Sequence, residues 1–243
     1  LIQAGPLNRN ASSNKSEYSF KSFFGRLEYD FDNKYFIDGS VRQDASSRFG
    51  IDNREALFWS AGTMWKAKRE NFLKDVKGLT DLTVRFSTGT SGNSGIGDYQ
   101  SQALVGSNQY NGTTGFGIST PGNSQLAWEK QQKTTFGINT TLYDRVRVEV
   151  ELYRRVTRDM LISVPYPFTS GFSNITSNVG SLLNQGIDVG FNFDVFRNDS
   201  KNAIVTPYIN LNYNVNKITE LFQGKQFWVV PNTGVSWVVG QPV

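Results

Sequence analysis

Hydrophobic and polar residues alternate along much of the chain, most clearly between Trp128 and Tyr153. One parity of this stretch is mainly apolar: Phe136, Ile138, Thr140, Leu142, Val146, Val148, Val150 and Leu152. The other parity is mainly polar: Lys133, Thr135, Asn139, Thr141, Arg147, Glu149, Glu151 and Tyr153. A period of two over this length predicts β-strands with one apolar and one polar face. Leu142 and Val146 share a face only if they lie opposite each other, which predicts a long hairpin with a three-residue turn at 143–145.

The same alternation predicts six further strands, eight in all, at about 17–31, 34–45, 56–66, 81–89, 185–196 and 203–216. Phe31 and Tyr35 keep parity across residues 32–34, which predicts a second three-residue turn. Residues 70–74 suit a single helical turn. Pro207 lacks a backbone donor, so we expect a bulge or irregular pairing inside the last strand.

Short and long connections alternate along the predicted chain. The turns after the first, fifth and seventh strands are short, whereas residues 90–127 and 162–183 are long stretches without alternation, which we interpret as loops. The connection after the third strand is the one exception, because it is long where the alternation predicts a short turn. Since alternate connections of an up-and-down meander lie at the same end, one end of the sheet is predicted to be trimmed and the other elaborated.

Composition removes several classes of chemistry. The chain of 243 residues has no cysteine and no histidine, which excludes disulfides, thiol catalysis, His-based triads and the usual zinc sites. Its net charge of +4 is too small to argue for nucleic acid. No apolar run is long enough for a transmembrane helix. We expect no cofactor, no metal and no nucleic-acid partner.

Alternation alone allows two folds. A soluble sheet points its apolar parity inward, whereas a membrane barrel points it at lipid and keeps the polar parity in the lumen. Strands of roughly 10–14 residues and the asymmetric loops favour the barrel. Aromatic residues at the trimmed end would form an interfacial girdle: Tyr29, Phe31, Tyr35, Trp65 and Tyr143. The alternative is a soluble or cell-surface β-sheet module that binds a ligand.

Several phrases resemble the barrel of SusC/RagA-type TonB-linked outer-membrane transporters, and they occur in that family's order over nearly the whole chain. They are Ser22–Leu27 with Tyr29–Phe31, Arg42–Gly50, Ser91–Asn93, Leu126–Lys130, Leu161–Pro165, Asn178–Ser181 and Asn184–Gly186. Asp188 departs from the pattern, which has glutamate there.

The resemblance implies an all-β, antiparallel up-and-down transmembrane β-barrel, with residues 1–243 forming about eight of roughly 22 strands of one TonB-dependent receptor barrel domain. We expect the chain to be a fragment, because a signal peptide, a plug domain and a TonB box are missing from it. The implied function is import of oligosaccharide or peptide across the outer membrane, without enzymatic activity. The implied partners are a SusD-like surface lipoprotein, the TonB complex through the missing regions, and outer-membrane lipid.

Candidate binding residues are the aromatic and charged side chains expected in outer loops or at the lumen mouth, since aromatic faces with polar partners suit sugars or peptides. They are Arg42, Asp44, Arg48, Tyr99, Tyr110, Trp128 and Arg155. The alternative for each is that it packs loops together. Glu149 and Glu151 lie roughly 6.6 Å apart along one strand, a separation that suits a glycosidase pair. The arginines at 147 and 155 favour a lumenal salt ladder instead.

Overall fold

The computed structural model describes residues 15–198, 203–230 and 234–243, apart from the side chains of Tyr110, Phe168, Arg197 and Asn198. The strands in chain order are β1 (Phe20–Phe31), β2 (Tyr35–Ser46), β3 (Glu55–Lys66), β4 (Leu79–Asn93), β5 (Leu104–Tyr110), β6 (Thr113–Thr120), β7 (Glu129–Leu142), β8 (Val146–Arg158), β9 (Leu161–Pro165), β10 (Asn174–Asn178), β11 (Ser181–Phe193), β12 (Phe196–Asn198), β13 (Ala203–Val205), β14 (Tyr208–Glu220), β15 (Phe227–Val229) and β16 (Ser236–Val238). One short helix, α1 (Asn71–Lys74), lies between β3 and β4, as predicted.

Eight long strands form one antiparallel sheet in the order β1-β2-β3-β4-β7-β8-β11-β14. Each of these strands pairs with the next long strand along the chain, so the sheet is the predicted up-and-down meander. The prediction of an all-β fold with eight antiparallel strands is confirmed.

Both predicted three-residue turns are present. Leu142 lies opposite Val146, and Phe31 lies opposite Tyr35. Each turn places two consecutive residues in the left-handed region, at φ 54° and 51° for residues 32 and 33 and at 52° and 57° for residues 143 and 144. Asp32, Asn33 and Asp144 tolerate this conformation, because their short polar side chains can bond locally. Tyr143 adopts it with its backbone N–H bonded to the Gly78 carbonyl at 2.7 Å.

The two long connections are more structured than predicted. β4 runs on to Asn93, opposite Glu129 of β7, and residues 104–120 form the β5–β6 hairpin around an Asn111–Gly112 turn. β9 and β10 form a second hairpin within 161–178. The interpretation of these stretches as loops without strands was therefore wrong. Their Gly, Ser, Thr and Asn residues carry no apolar alternation, but backbone pairing across an Asn-Gly turn does not require it.

Pro207 interrupts the last predicted strand. β13 pairs with β12 and ends before Pro207, and β14 begins at Tyr208. The Pro207 carbonyl still accepts a hydrogen bond from Phe193 N at 3.2 Å. The irregularity expected at Pro207 is confirmed, whereas a continuous strand over 203–216 is wrong. Residues 199–202 of the predicted turn before it lie outside the described residues.

The two faces of the sheet differ in polarity. On one face apolar side chains line up across the strands; Val150, for example, lies opposite both Ile138 and Val189. This outward face is exposed, and Leu27 reaches 75%. The opposite face carries the polar parity. No helix among the described residues has the length and hydrophobicity needed to cross a membrane.

Candidate functional site at the loop end of the sheet

The long connections pack together at one end of the sheet, into what we call the loop platform: residues 47–54, 94–103, 121–128 and 159–180. Its core is aromatic. Phe49 is 0% and Trp128 3% exposed, with ring centroids 4.9 Å apart, and Phe58 packs edge-on against Trp128 at 5.6 Å. Trp128 also donates its indole hydrogen bond to the Arg54 carbonyl at 2.8 Å. The structure thus places Trp128, a predicted binding residue, in loop packing.

Backbone contacts tie the platform segments to one another. Gly50 N donates to the Leu126 carbonyl at 2.9 Å, and a Cβ added to Gly50 would lie 1.8 Å from Ser124 O. The Asn178 amide both accepts from Ala127 N and donates to Ala127 O, each at 2.7 Å. Sequence reasoning missed the roles of Gly50 and Asn178, although both stand within the phrases that carry the family resemblance.

A second cluster completes this end of the sheet. Ile218, Leu221 and Phe222, at the end of β14 and beyond, are buried. The Trp228 ring packs edge-on against the rings of Phe222 and Trp237, with centroid distances of 5.2 and 5.3 Å. These residues therefore add a second packed cluster to the loop end of the sheet.

Arg42 and Asp44 form an ion pair on the polar face of β2. Arg42 Nε lies 2.9 Å from Asp44 Oδ2, and Ser22 donates a hydroxyl hydrogen bond to the same carboxylate. Asp44 is 1% exposed, so it positions the guanidinium and does not face solvent. Arg42 remains half exposed and borders a cleft of about 530 Å³. The cleft is lined by Phe24, Arg26, Ser40, Phe58, Ser60 and Ser91, among others.

Phe24 is an aromatic residue that sequence analysis did not select. It lies opposite Arg42 in the register of β1 and β2 and is 82% exposed. Its position on the polar parity, among residues otherwise mostly polar, was the available signal. An exposed ring beside a guanidinium and several hydroxyls suits a ligand with both apolar and hydrogen-bonding groups.

Arg48 and Tyr99 border a second cleft, of about 320 Å³, beside the platform. Arg48 Nε lies 2.8 Å from Asp98 Oδ1, and its guanidinium stands 4.2 Å from the centre of the Tyr18 ring. Tyr99 has a left-handed backbone (φ 64°), and its hydroxyl accepts a hydrogen bond from Glu17 N at 2.8 Å. These contacts hold the two residues in place at the rim.

The remaining two predicted residues are separate from these clefts. Arg155 lies on the polar face of β8, opposite Lys133 and Asn184, and its buried Nε has no hydrogen-bond partner among the described residues. Tyr110 ends β5, and its side chain lies outside the described part of the structure. The structure therefore places Arg42 beside Asp44 and Arg48 beside Tyr99. Arg155 lies on β8, away from both clefts.

The expected salt ladder on β8 is only partly present. Glu151 lies 3.9 Å from Lys133, but Arg147 instead pairs with the buried Asp194 through two contacts of 3.2 and 3.3 Å. Asp194 comes from the segment after β11, which the strand pattern did not place beside Arg147. Within the described ranges, no group of three or more acidic side chains is arranged to hold a metal ion.

The trimmed end of the sheet carries a polar network among its aromatic residues. Glu70 accepts hydrogen bonds from the Tyr35 hydroxyl and, at 3.2 Å, from the Trp65 indole. These bonds, with the Tyr35 hydroxyl first, hold the pKa of Glu70 below its ordinary value. The hydrogen bond with Asp32 raises the pKa of Lys34, which also faces Glu70 at 4.0 Å. The network ties the first turn to the connector that follows β3.

These features together define a class of protein. An eight-stranded meander with an exposed apolar face, a polar opposite face, and long loops at one end has the construction of a transmembrane β-barrel wall. Tyr and Trp side chains at the trimmed end stand where membrane-interface aromatics are found.

The comparisons with known proteins agree. The family model described as TonB dependent receptor-like, beta-barrel matches residues 2–238, and the chain belongs to this family. It is 37% identical to the TonB-dependent receptor SusC of Bacteroides thetaiotaomicron over 84% of the chain, and 36% identical to the TonB-dependent receptor P39 of Formosa agariphila, also over 84%. Among solved structures it is similar to the RagAB peptide transporter, with TM-score 0.86 and 44% identity over 93% of the chain.

The chain spans 21% of SusC, 20% of the P39 receptor and 25% of the matched RagAB chain. The predicted resemblance to SusC/RagA-type TonB-dependent receptors is confirmed. The relatives are receptors and transporters, which supports a role other than catalysis.

Proposed function

We propose that the protein imports an oligosaccharide or a peptide across the outer membrane, as the barrel of a SusC/RagA-type transporter. The observation that carries this proposal is the division of the eight-stranded sheet into an exposed apolar face and a polar face. Lipid covers the first, and a hydrated passage requires the second. In a soluble module, the same sheet would expose its apolar side chains to water, because side chains such as Leu27 are not covered by other residues.

The trimmed end then faces the periplasm, and the loop platform faces outward. A SusD-like surface lipoprotein would cap the platform, and the TonB complex would act through regions outside this chain. Trp128 and Asn178 hold the segments of the loop platform together. The platform would therefore present a preformed surface to the lipoprotein that caps it.

The substrate contacts that this chain contributes lie in the cleft beside Arg42. The exposed Phe24 ring would stack on a sugar ring or an apolar side chain, and Arg42 would hold a carbonyl, carboxylate or hydroxyl. The RagAB relative is described as a peptide transporter, whereas the name of SusC specifies no substrate. Both substrate classes therefore belong in the test.

The test is uptake by cells that carry the full-length protein as their only receptor of this type. Labelled oligopeptides and labelled oligosaccharides are supplied in turn, with and without a protonophore that removes the energy for TonB. We expect energy-dependent uptake of one class and not the other. Uptake of neither class, or uptake that the protonophore leaves unchanged, would contradict the proposal.

A matched pair of variants on β1 tests the cleft. Phe24→Ala removes the exposed ring from the polar face, whereas Leu27→Ala removes a similarly exposed side chain from the outward face. We expect Phe24→Ala to raise the half-saturating substrate concentration several-fold and Leu27→Ala to leave it unchanged. Equal effects of the two substitutions would place the binding site away from this cleft.

A further inference from the structure

Four basic side chains stand on the outward face of β7, β8 and β14, at the end of these strands nearest the loop platform. Lys130 of β7 lies directly opposite Arg158 of β8, and Arg154 is four residues further down β8, roughly 13 Å away along the strand. Lys217 of β14 lies two strands away, opposite Leu183. These four residues form what we call the basic patch.

Strand parity places the patch on the lipid side of the wall. Arg154 and Arg158 share the parity of Leu152 and Val150, and Lys130 shares that of Phe136. Arg154 follows Leu152 by two residues, so the patch lies at the margin of the apolar band on the side of the loop platform, with Val156 and Leu183 between its cations. In the proposed orientation this is the level of the headgroups in the outer leaflet.

All four cations are exposed, and among the described residues none has an ion-pair or hydrogen-bond partner. The outward parity of β4, β7, β8 and β11 contains no acidic residue. The nearest carboxylate by register is Glu220, which accepts a hydrogen bond from Ser181, the residue opposite Arg158. It forms no ion pair with Arg158.

We propose that the basic patch binds the phosphate groups of a glycolipid in the outer leaflet. Guanidinium and ammonium groups are the usual protein ligands of phosphate, and long basic side chains at the edge of an apolar band reach upward to headgroups. A surface with four cations outside any ion pair, and with no acidic residue on the outward face of β4, β7, β8 and β11, is complementary to a headgroup with more than one phosphate. This inference rests on the proposed membrane orientation.

The patch is distinct from the passage that would carry substrate. Its residues lie on the opposite face of the sheet from Arg42 and Arg155 and therefore face away from the lumen. Bound glycolipid would anchor β7, β8 and β14 at the height where the loop platform begins. Its loss should loosen the rim without removing any residue of the proposed substrate cleft.

The experiment uses the full-length protein, extracted from outer membranes and stripped of lipid by detergent exchange. Native mass spectrometry follows its titration with lipid A and with lipid A dephosphorylated by a phosphatase. We expect the phosphorylated lipid to bind at least about tenfold more tightly. Since each basic residue near an anionic surface contributes about fivefold to binding, the triple variant K130Q/R154Q/R158Q should bind lipid A about a hundredfold more weakly.

The control is the triple variant R26Q/R85Q/K133Q, which removes the same charge from the polar face of the same wall. It should keep the preference of the wild type. Equal binding of both lipids by the wild type would overturn the proposal, as would an unchanged preference in K130Q/R154Q/R158Q. The proposal would also be overturned if K130Q/R154Q/R158Q lost a protein partner while the wild type showed no preference between the two lipids. Energy-dependent uptake by the same wild-type protein, without lipid preference, would contradict this inference alone and leave the proposed function intact.

Discussion

A lysine placed at Val150 tests whether the apolar face of the sheet contacts lipid. Val150 lies near the middle of the apolar stretch of β8, between Ile138 and Val189 of the neighbouring strands. At the midplane of a bilayer, a lysine on the lipid face of a barrel costs about 2–4 kcal/mol. Val150→Lys should therefore shift the folding equilibrium by roughly 30-fold to several hundred-fold.

The assay is reversible unfolding of the full-length barrel in lipid vesicles by guanidinium chloride, with membrane assembly in cells as a second readout. Two control substitutions separate the effect of contact with lipid from the effect of the added charge. Asn210→Lys places the charge on the polar face, beside Glu149 and Asp188, where it should be neutral or stabilising. Gln43→Lys lies on the outward face but near Glu55 at the loop end, where about 0–1 kcal/mol is expected. If Val150→Lys cost no more than Asn210→Lys, the apolar face would not be facing lipid.

Three further substitutions test the structure at its two ends. Gly50→Ala would force a methyl group against Ser124 O, so we expect the loop platform to open and limited proteolysis of it to accelerate; unchanged cleavage would contradict this contact. Asn178→Ala leaves both backbone groups of Ala127 without partners and should lower the free energy of unfolding by about 1–3 kcal/mol, whereas a loss below about 0.5 kcal/mol would show that water replaces the amide. Glu70 has a lowered pKa, so its network stabilises the fold above the ordinary carboxylate pKa and loses that contribution as the pH falls through the lowered value. Proteolysis of the connector after β3 should accelerate in acid for the wild type, and Glu70→Gln should remove this dependence on pH.

The long strands and tight turns were predictable because each rests on local sequence. The alternation of Val146, Val148 and Val150 with polar residues predicts a strand and the face on which each side chain lies. The shared face of Leu142 and Val146 predicts the length of the turn between their strands. The two extra hairpins were missed for the complementary reason. Residues 104–120 are rich in Gly, Ser, Thr and Asn, so their pairing leaves no hydrophobic period to detect.

The candidate site was predictable only in part. The strand parity of Arg42 and Asp44 put them on one face two residues apart, and the structure pairs them. No local pattern shows whether Trp128 faces a ligand or a core, because that depends on Phe49, which the fold brings from 79 positions away. Asn178 was missed for the same reason: it binds the backbone of Ala127, a contact across 51 positions that leaves no mark in either segment's composition.

The central claim is that this chain forms the wall of an outer-membrane transporter. The most direct test is to extract the native full-length protein from isolated membranes in detergent and to weigh the intact complex by mass spectrometry. We expect a chain several times longer than 243 residues, found in the outer-membrane fraction with a surface lipoprotein attached. A chain of about this length that stays in solution without detergent would contradict the account.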